Sequence, residues 1–322
     1  MIAKIILIFL IIVLIALIIG ANHLLNKACL RKYYMIEDPI KISKEENRQA
    51  KQETNTNKVK LTEKEDHYMT IMSDCTIKSF DGLKLSAKYI KNDISNNWII
   101  LVHGYTANAK SMLSLADKYY KKGFSILAPD QRAHGQSEGT YTTFGLKEKE
   151  DIKAWMEWII KTNPQAKIIV HGESMGAATT MFLAADNPDN LVAFIEDCGY
   201  TSFYDMQIDQ LKGDLGFLAY PITFLANIIG KIRFSSNFYK SNIDSMKNTK
   251  IPGLFIHGQA DRLVPVQMCY DLYKTHQGKK SLYTPIPADH AECKFYDQDE
   301  YFRQIFEFLE ELEIIKSQDR YN

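Results

Sequence analysis

Short apolar runs alternate with amphipathic stretches along most of the chain, and this alternation restricts the fold more than any other feature of the sequence. The apolar runs are typical of strands that are covered on both faces of a parallel sheet. The predicted strands are 76–80, 83–90, 98–102, 125–128, 167–170, 191–195, 253–256 and 281–285. The predicted helices are 111–121, 146–161, 176–185, 266–275 and 299–315. We therefore expect an α/β protein with a doubly wound, mostly parallel sheet.

The ends of the predicted strands are the places to search for chemistry. The first two strands flank Asp81-Gly82, a dipeptide that favours a tight hairpin turn, so these two strands should be antiparallel. In an open parallel sheet, ligands bind beyond the carboxyl ends of the strands. Residues that directly follow a strand are therefore the candidates for function.

The stretch Gly172-Glu173-Ser174-Met175-Gly176 lies between a predicted strand and a predicted helix. In that context the pattern G-x-S-x-G predicts a sharp turn that exposes a nucleophilic serine above the sheet. The two glycines leave room for the turn, and the first amides of the helix favour an anion beside the serine. The alternative is that Ser174 only caps the helix.

A serine nucleophile needs a general base, and the base needs a group that fixes its tautomer. Asp261 follows strand 253–256 in "HGQADRLVP", and His290 follows strand 281–285 in "ADHAE". The chain order Ser174, Asp261, His290 is the order of such triads on this type of sheet. Asp197, which follows strand 191–195, is the rival for the acid position.

Two backbone amides are the candidates for stabilising an oxyanion. Met175 supplies one N–H, because it directly follows the serine. Tyr105 supplies the other, in the stretch His103-Gly104-Tyr105-Thr106 after strand 98–102. Three histidines at strand ends are expected to be structural rather than basic catalysts: His103, His171 and His257.

Five motifs in residues 70–316 resemble those of α/β-hydrolase fold enzymes of the prolyl-oligopeptidase-like serine hydrolase group, close in pattern to bacterial membrane-anchored members. They are "HGYTAN", "DQRAHGQSEG", "GESMGA", "HGQADRLVP" and "DHAE". The resemblance implies Ser174, Asp261 and His290 as the triad and Tyr105 and Met175 as the oxyanion amides. It also implies a structural loop at Asp130, Arg132 and His134, with Arg132 bound to a carboxylate. No β-propeller precedes this region, which argues against selective peptidase action.

The N-terminus reads as a membrane helix over 1–25, because 5–21 is an unbroken apolar run. A cleaved signal peptide and a buried core helix are the alternatives. Lys27, Arg31 and Lys32 after the run favour a cytoplasmic catalytic domain, whereas Lys4 and the amino terminus favour the reverse orientation. The side of the membrane is therefore not predicted.

Three other segments complete the predicted organisation. Residues 26–69 are read as a polar linker, in which Ser43 and Glu46 form a capping-box pattern for a short helix. Residues 317–322 form a tail. Residues 200–248 are read as a helical lid over an apolar acyl pocket, and the alternative for the apolar stretch 213–232 is a second membrane span.

Composition excludes several classes of function. Acidic and basic residues balance at 39 each, so no overall field attracts nucleic acid. The 5 cysteines have neither CxxC nor ligand spacing, which predicts free thiols and no zinc site. No metal or cofactor is implied, and the oligomeric state is not predicted.

The sequence thus predicts a membrane-anchored serine hydrolase that cleaves small-molecule carboxylic esters or thioesters through an acyl-enzyme on Ser174. A serine peptidase and an acyltransferase are alternatives within the enzyme class. A membrane-tethered binding protein without turnover is the alternative outside it. A serine at the turn excludes an aspartate nucleophile.

Overall fold

The computed structural model describes residues 1–34 and 62–316, and its centre is one eight-stranded sheet. The strand order is β1-β2-β4-β3-β5-β6-β7-β8; β2 is antiparallel to both of its neighbours, and β3 to β8 are parallel. The strands are β1 Ser73–Lys78, β2 Lys84–Ile90, β3 Asn97–Val102, β4 Ser125–Pro129, β5 Lys167–Glu173, β6 Leu191–Asp197, β7 Gly253–Ile256 and β8 Lys280–Tyr283. The predicted doubly wound α/β fold is confirmed.

Helices cover both faces of the sheet and extend beyond it at the N-terminus and in the lid. The N-terminal helices are α1 Ile2–Cys29, α2 Arg31–Tyr34 and α3 at 62–71. Those of the catalytic domain are α4 Ala109–Met112, α5 Ala116–Lys121, α6 Glu148–Thr162, α7 Met175–Ala184, α11 Val266–Thr275, α12 Cys293–Tyr296 and α13 Gln298–Glu311. Those between β6 and β7 are α8 Phe203–Leu215, α9 Ala219–Phe234 and α10 Asn242–Asn248.

Strand β3 shows why the apolar runs fold as buried strands. Its side chains alternate between the faces of the sheet, as the two-residue repeat of a strand requires. Ile99 and Leu101 belong to the core cluster that includes α5 and α13, whereas Trp98 and Ile100 belong to the cluster that includes α6 and α11. An unbroken apolar run is therefore needed to fill both layers.

Two predicted elements differ from the structure in their local backbone. The predicted helix 111–121 is divided into α4, a 3₁₀ turn at Leu113–Leu115 and α5. The β1–β2 loop spans residues 79–83, so it is longer than a two-residue turn. Within it, the Ser79 hydroxyl accepts the Leu83 N–H at 2.8 Å and donates to Asp81 Oδ1 at 2.7 Å. Gly82 in this loop has φ +92°, which favours glycine.

Residues at both ends of the predicted linker, 26–69, are helical in the structure. Helix α1 continues to Cys29 rather than ending at residue 25, because its last turns pack on the catalytic domain: the Cys29 carbonyl accepts the Thr142 N–H at 2.9 Å. At the other end, α3 forms over 62–71 and buries Tyr68 and Met72 in the core. The predicted capping pattern at Ser43 and the tail 317–322 lie outside the described residues.

The segment between β6 and β7, the predicted lid, folds as three helices that pack on the domain. Taken together, α8 and α9 are long and apolar enough to cross a membrane. Gly216, with φ +54°, breaks them into helices of 13 and 16 residues, each shorter than the roughly 20 residues that a span requires. Phe203 and Phe234 are buried in the cluster that contains Met175, so the lid packs beside the predicted nucleophile.

We expect Gly172→Ala to lower the free energy of unfolding by about 3 kcal/mol, because an added Cβ would lie 2.1 Å from the Gly176 carbonyl oxygen in a close-packed turn. Gly213→Ala is the matched control, since nothing lies within 4 Å of its Cβ and α8 gains about 1 kcal/mol of helix propensity. Urea unfolding of both full-length variants measures the difference. Equal midpoints would contradict the packing described for the turn.

Candidate active site

The backbone at Ser174 is strained, and its neighbours explain how the strain is tolerated. Ser174 connects β5 to α7 with φ 55° and ψ −113°, a region that residues other than glycine rarely adopt. A Cβ on Gly176 would lie 2.1 Å from the Val102 carbonyl oxygen, so the turn packs directly on β3. The Ser174 N–H donates to the Asp197 carbonyl at 2.8 Å, which fixes the turn to β6.

The structure brings Ser174, His290 and Asp261 together. His290 Nε2 lies 2.9 Å from Ser174 Oγ, and His290 Nδ1 lies 2.7 Å from Asp261 Oδ2. The rival acid, Asp197, is directed elsewhere: its Oδ2 accepts the Tyr301 hydroxyl at 2.8 Å. The three residues follow β5, β7 and β8, so the parallel sheet delivers them to one edge.

Asp261 is held as a charged carboxylate. Burial alone would raise its pKa, but hydrogen bonds from His257 and His290 outweigh burial and hold the pKa well below its ordinary value. Its second oxygen, Oδ1, accepts the N–H groups of Leu263 and Val264 at 2.9 and 2.8 Å. A permanently ionised Asp261 can fix the His290 tautomer and stabilise an imidazolium.

His257 supports Asp261, a role that sequence reasoning missed. Its Nε2 lies 2.8 Å from the Val264 carbonyl oxygen and 3.1 Å from Asp261 Oδ2. Burial lowers the pKa of His257, but the contact with Asp261 raises it above the ordinary value overall. The signal was present in the sequence, because His257 and Asp261 share the "HGQAD" motif at the end of β7.

The loop with the predicted Tyr105 amide is fixed beside Ser174. His103 donates from Nδ1 to the Gly104 carbonyl at 2.7 Å and accepts the Gln131 N–H at Nε2 at 3.0 Å. Burial lowers the pKa of His103 to about 4, so it is neutral and structural, as expected. A Cβ built on Gly104 lies 3.4 Å from Ser174 Cβ, so the backbone of this loop abuts the serine.

Met175 directly follows the candidate nucleophile in the chain, and Tyr105 follows Gly104, whose backbone abuts the serine. Met175 is the first residue of α7, so its N–H has no acceptor within the helix. The Tyr105 side chain has a further role that the sequence did not indicate: its hydroxyl donates to the Ala28 carbonyl of α1 at 2.8 Å. The N-terminal helix thus touches the loop that carries one of the two predicted oxyanion amides.

The "DQRAHG" loop is structural, as expected. Arg132 is buried and donates to both oxygens of Asp151 at 2.6 and 2.7 Å, and it also binds Asp81 at 2.9 Å. Asp130 accepts the Ala109 N–H at 2.8 Å, which joins this loop to the start of α4. These bonds stiffen the loop that packs behind His103.

Several polar groups are buried around β5, the strand that precedes Ser174, and no sequence motif predicted them. Glu173, the residue before Ser174, forms a buried ion pair with Lys294. The two ring nitrogens of His171 bond tyrosine hydroxyls: Nδ1 accepts from Tyr119 at 2.9 Å, and Nε2 donates to Tyr301 at 3.1 Å, since the Tyr301 proton goes to Asp197. Burial lowers the pKa of His171 to about 3, so it acts as a neutral structural residue, as expected.

One group of possible metal ligands occurs in the part of the chain that the structure describes: Cys198, Asp261 and His290, with ligand atoms within 4.8 Å of one another. Asp261 and His290 already bind each other. Burial raises the pKa of the Cys198 thiol well above its ordinary value, which leaves it protonated and a poor ligand. The group does not fit a metal site. All 5 cysteines are free thiols.

The strand order and the serine at the strained turn define the α/β-hydrolase fold, and comparison with known proteins agrees. Residues 97–228 match the family described as alpha/beta hydrolase fold. The predicted resemblance to this class of protein is confirmed. The comparisons also support hydrolase activity.

Three individual proteins illustrate the similarity. The Pyrococcus furiosus esterase Pf2001 superposes with a TM-score of 0.61 and 26% identity, covering 74% of this chain and 92% of that one. The uncharacterized protein YqkD of Bacillus subtilis is 29% identical over 239 residues, which span 73% of this chain and 78% of YqkD. An uncharacterized membrane protein of Saccharomyces cerevisiae is 24% identical over 73% of this chain and 78% of its own length.

Proposed function

We propose that the protein is a serine hydrolase that cleaves carboxylic esters or thioesters through an acyl-enzyme on Ser174. The observation that carries the proposal is the pair of contacts at His290: 2.9 Å to Ser174 Oγ on one side and 2.7 Å to Asp261 on the other. A histidine placed between a hydroxyl and an ionised carboxylate is the arrangement that activates a serine.

The reaction proceeds in two halves. Ser174 Oγ attacks the acyl carbonyl while His290 Nε2 takes its proton, and the tetrahedral oxyanion accepts hydrogen bonds from the Tyr105 and Met175 amides. The intermediate collapses when His290 returns that proton to the leaving alcohol or thiol, and the acyl group stays on Ser174. Water then attacks the acyl-enzyme with His290 as base, which releases the carboxylic acid and restores the serine. Asp261 stays ionised throughout.

The surroundings of the site favour a substrate with an apolar acyl chain. Phe144, Phe203, Phe238 and Val264 share one buried cluster with Met175, the residue after the nucleophile. Esters suit this setting better than peptides, and the similar P. furiosus protein is an esterase. A peptidase or an acyltransferase would need polar contacts for an amine or an acceptor.

Helix α1 is proposed to anchor the enzyme in a membrane. It is 28 residues long, and its apolar side chains are exposed. So large an exposed apolar surface is unfavourable in water and favours a hydrocarbon environment. A yeast relative is described as a membrane protein.

Labelling with a fluorophosphonate tests the nucleophile and its base. We expect wild type to be labelled on Ser174 and both Ser174→Ala and His290→Ala to stay unlabelled, because each lacks one half of the activated pair. His67→Ala, which removes an exposed histidine of α3, is the control and should label like wild type. A folded wild-type protein that does not react would contradict the proposal and favour a binding protein without turnover.

Hydrolysis of p-nitrophenyl esters tests the acid. Asp261→Asn should lower kcat by roughly 10³–10⁴-fold, because the amide favours the wrong His290 tautomer. Asp197→Asn is the matched control, since that carboxylate bonds Tyr301 and should leave kcat within about tenfold of wild type. Larger loss in Asp197→Asn than in Asp261→Asn would show that the acid is misassigned. A series of acyl lengths in wild type then measures the preferred chain.

A further inference from the structure

A patch of exposed apolar side chains covers the connection between α8 and α9. Phe217 is the most exposed of them, at 79%. We call the patch the hairpin tip; its members are Leu215, Phe217, Leu218, Tyr220 and Phe224. Tyr220 and Phe224 are one helical turn apart, so they share a face of α9. A contiguous exposed patch of this kind marks a surface that binds something apolar.

Helix α9, at whose N-terminal end the hairpin tip lies, packs on α1. Tyr141 stacks on Phe234, at the end of α9, with ring centroids 4.5 Å apart, and its backbone pairs with Leu30, just after α1. Before that point α9 packs along α1, with Ala21 and Leu25 buried in their shared cluster. The tip therefore belongs to a helix pair that packs directly on α1.

Polar contacts mark where the apolar surface ends. Arg233 Nη1 donates to the side chains of Asn22 and Asn26 on α1, at 2.7 Å each. Asn22 directly follows the apolar run of α1, which places these bonds at the border of the hydrocarbon layer.

An apolar cleft leads from the three helices towards the predicted oxyanion loop. It lies between α1, α8 and α9, and its apolar lining includes Leu24, Leu25, Ala28, Phe203 and Ala226. Phe203 stacks on Phe144 with centroids 3.7 Å apart, and the Phe144 ring lies 5.2 Å from that of Tyr105. These stacked rings connect the lining of the cleft to the loop that carries Tyr105.

We propose that the hairpin tip enters the bilayer that holds α1 and that the substrate is a long-chain acyl ester drawn from that bilayer. The occupant of the tip is lipid, because the tip belongs to the helix pair that packs on α1, and the apolar surface of α1 itself requires a hydrocarbon environment. The substrate half of the proposal rests on the proposed ester hydrolysis. The insertion of the tip rests on the proposed anchoring of α1 and not on ester hydrolysis.

Quenching of tryptophan fluorescence by brominated acyl chains tests the insertion. Full-length Phe217→Trp and Ile94→Trp are reconstituted in phosphatidylcholine vesicles with and without bromine, and the wild-type signal is subtracted. Both positions are 79% exposed. Ile94 precedes β3 and so lies at the amino ends of the parallel strands, whereas the tip belongs to the segment that follows the carboxyl end of β6. We expect the added fluorescence to fall by about half or more at position 217 and to stay unchanged at 94. Equal quenching at the two positions would overturn the insertion.

Activity against two substrates tests the source of the ester. In vesicles, Phe217→Gln should lower hydrolysis of an embedded long-chain acyl ester by about fivefold or more while leaving a water-soluble short-chain ester unchanged. Ile94→Gln should leave both unchanged. An equal loss on both substrates would overturn the membrane source. Wild type that hydrolyses neither ester would refute the proposed function while leaving the quenching result to decide the insertion.

Discussion

The backbone turn at Ser174 is the constraint on which the rest of the arrangement depends. A serine at φ 55° costs on the order of 1–3 kcal/mol and persists only where its surroundings leave no alternative. Here the alternatives are removed by glycines packed against backbone, by the hydrogen bond to the Asp197 carbonyl, and by a β5 strand that is central in the sheet. The large buried core holds this turn in place, so the geometry of the site depends on the fold.

The groups around the serine come from separate elements, and each is fixed by its own buried contacts. Asp261 is oriented by two backbone amides and by His257, and the loop with the proposed oxyanion amide of Tyr105 is oriented by His103. That loop is also bonded to α1 through the Tyr105 hydroxyl. A helix long enough to span a membrane is thus hydrogen-bonded to the loop that carries a proposed catalytic group, which ties the position of the candidate site to that of the proposed membrane anchor.

Sequence patterns predicted the parts of this protein whose cause is local. Strand β7 has the predicted bounds, Gly253–Ile256, because a buried parallel strand must be apolar on both faces. Gly172 and Gly176 predicted the turn, because a side chain at either position would overlap backbone atoms. The docking of α1 could not be predicted, because Ala21 and Leu25 look the same whether they face lipid or a lid helix. Nor could the ion pair of Glu173 with Lys294, whose partners are 121 positions apart.

The central claim is that one hydroxyl, one imidazole and two amides converge on a single reacting carbon. A crystal structure of the full-length protein after reaction with a phosphonate ester measures this convergence directly. The account predicts phosphorus bonded to Ser174 Oγ, with the phosphonyl oxygen about 2.7–3.1 Å from the amide nitrogens of Tyr105 and Met175. Phosphorus on another residue, or a phosphonyl oxygen that reaches neither amide, would contradict it.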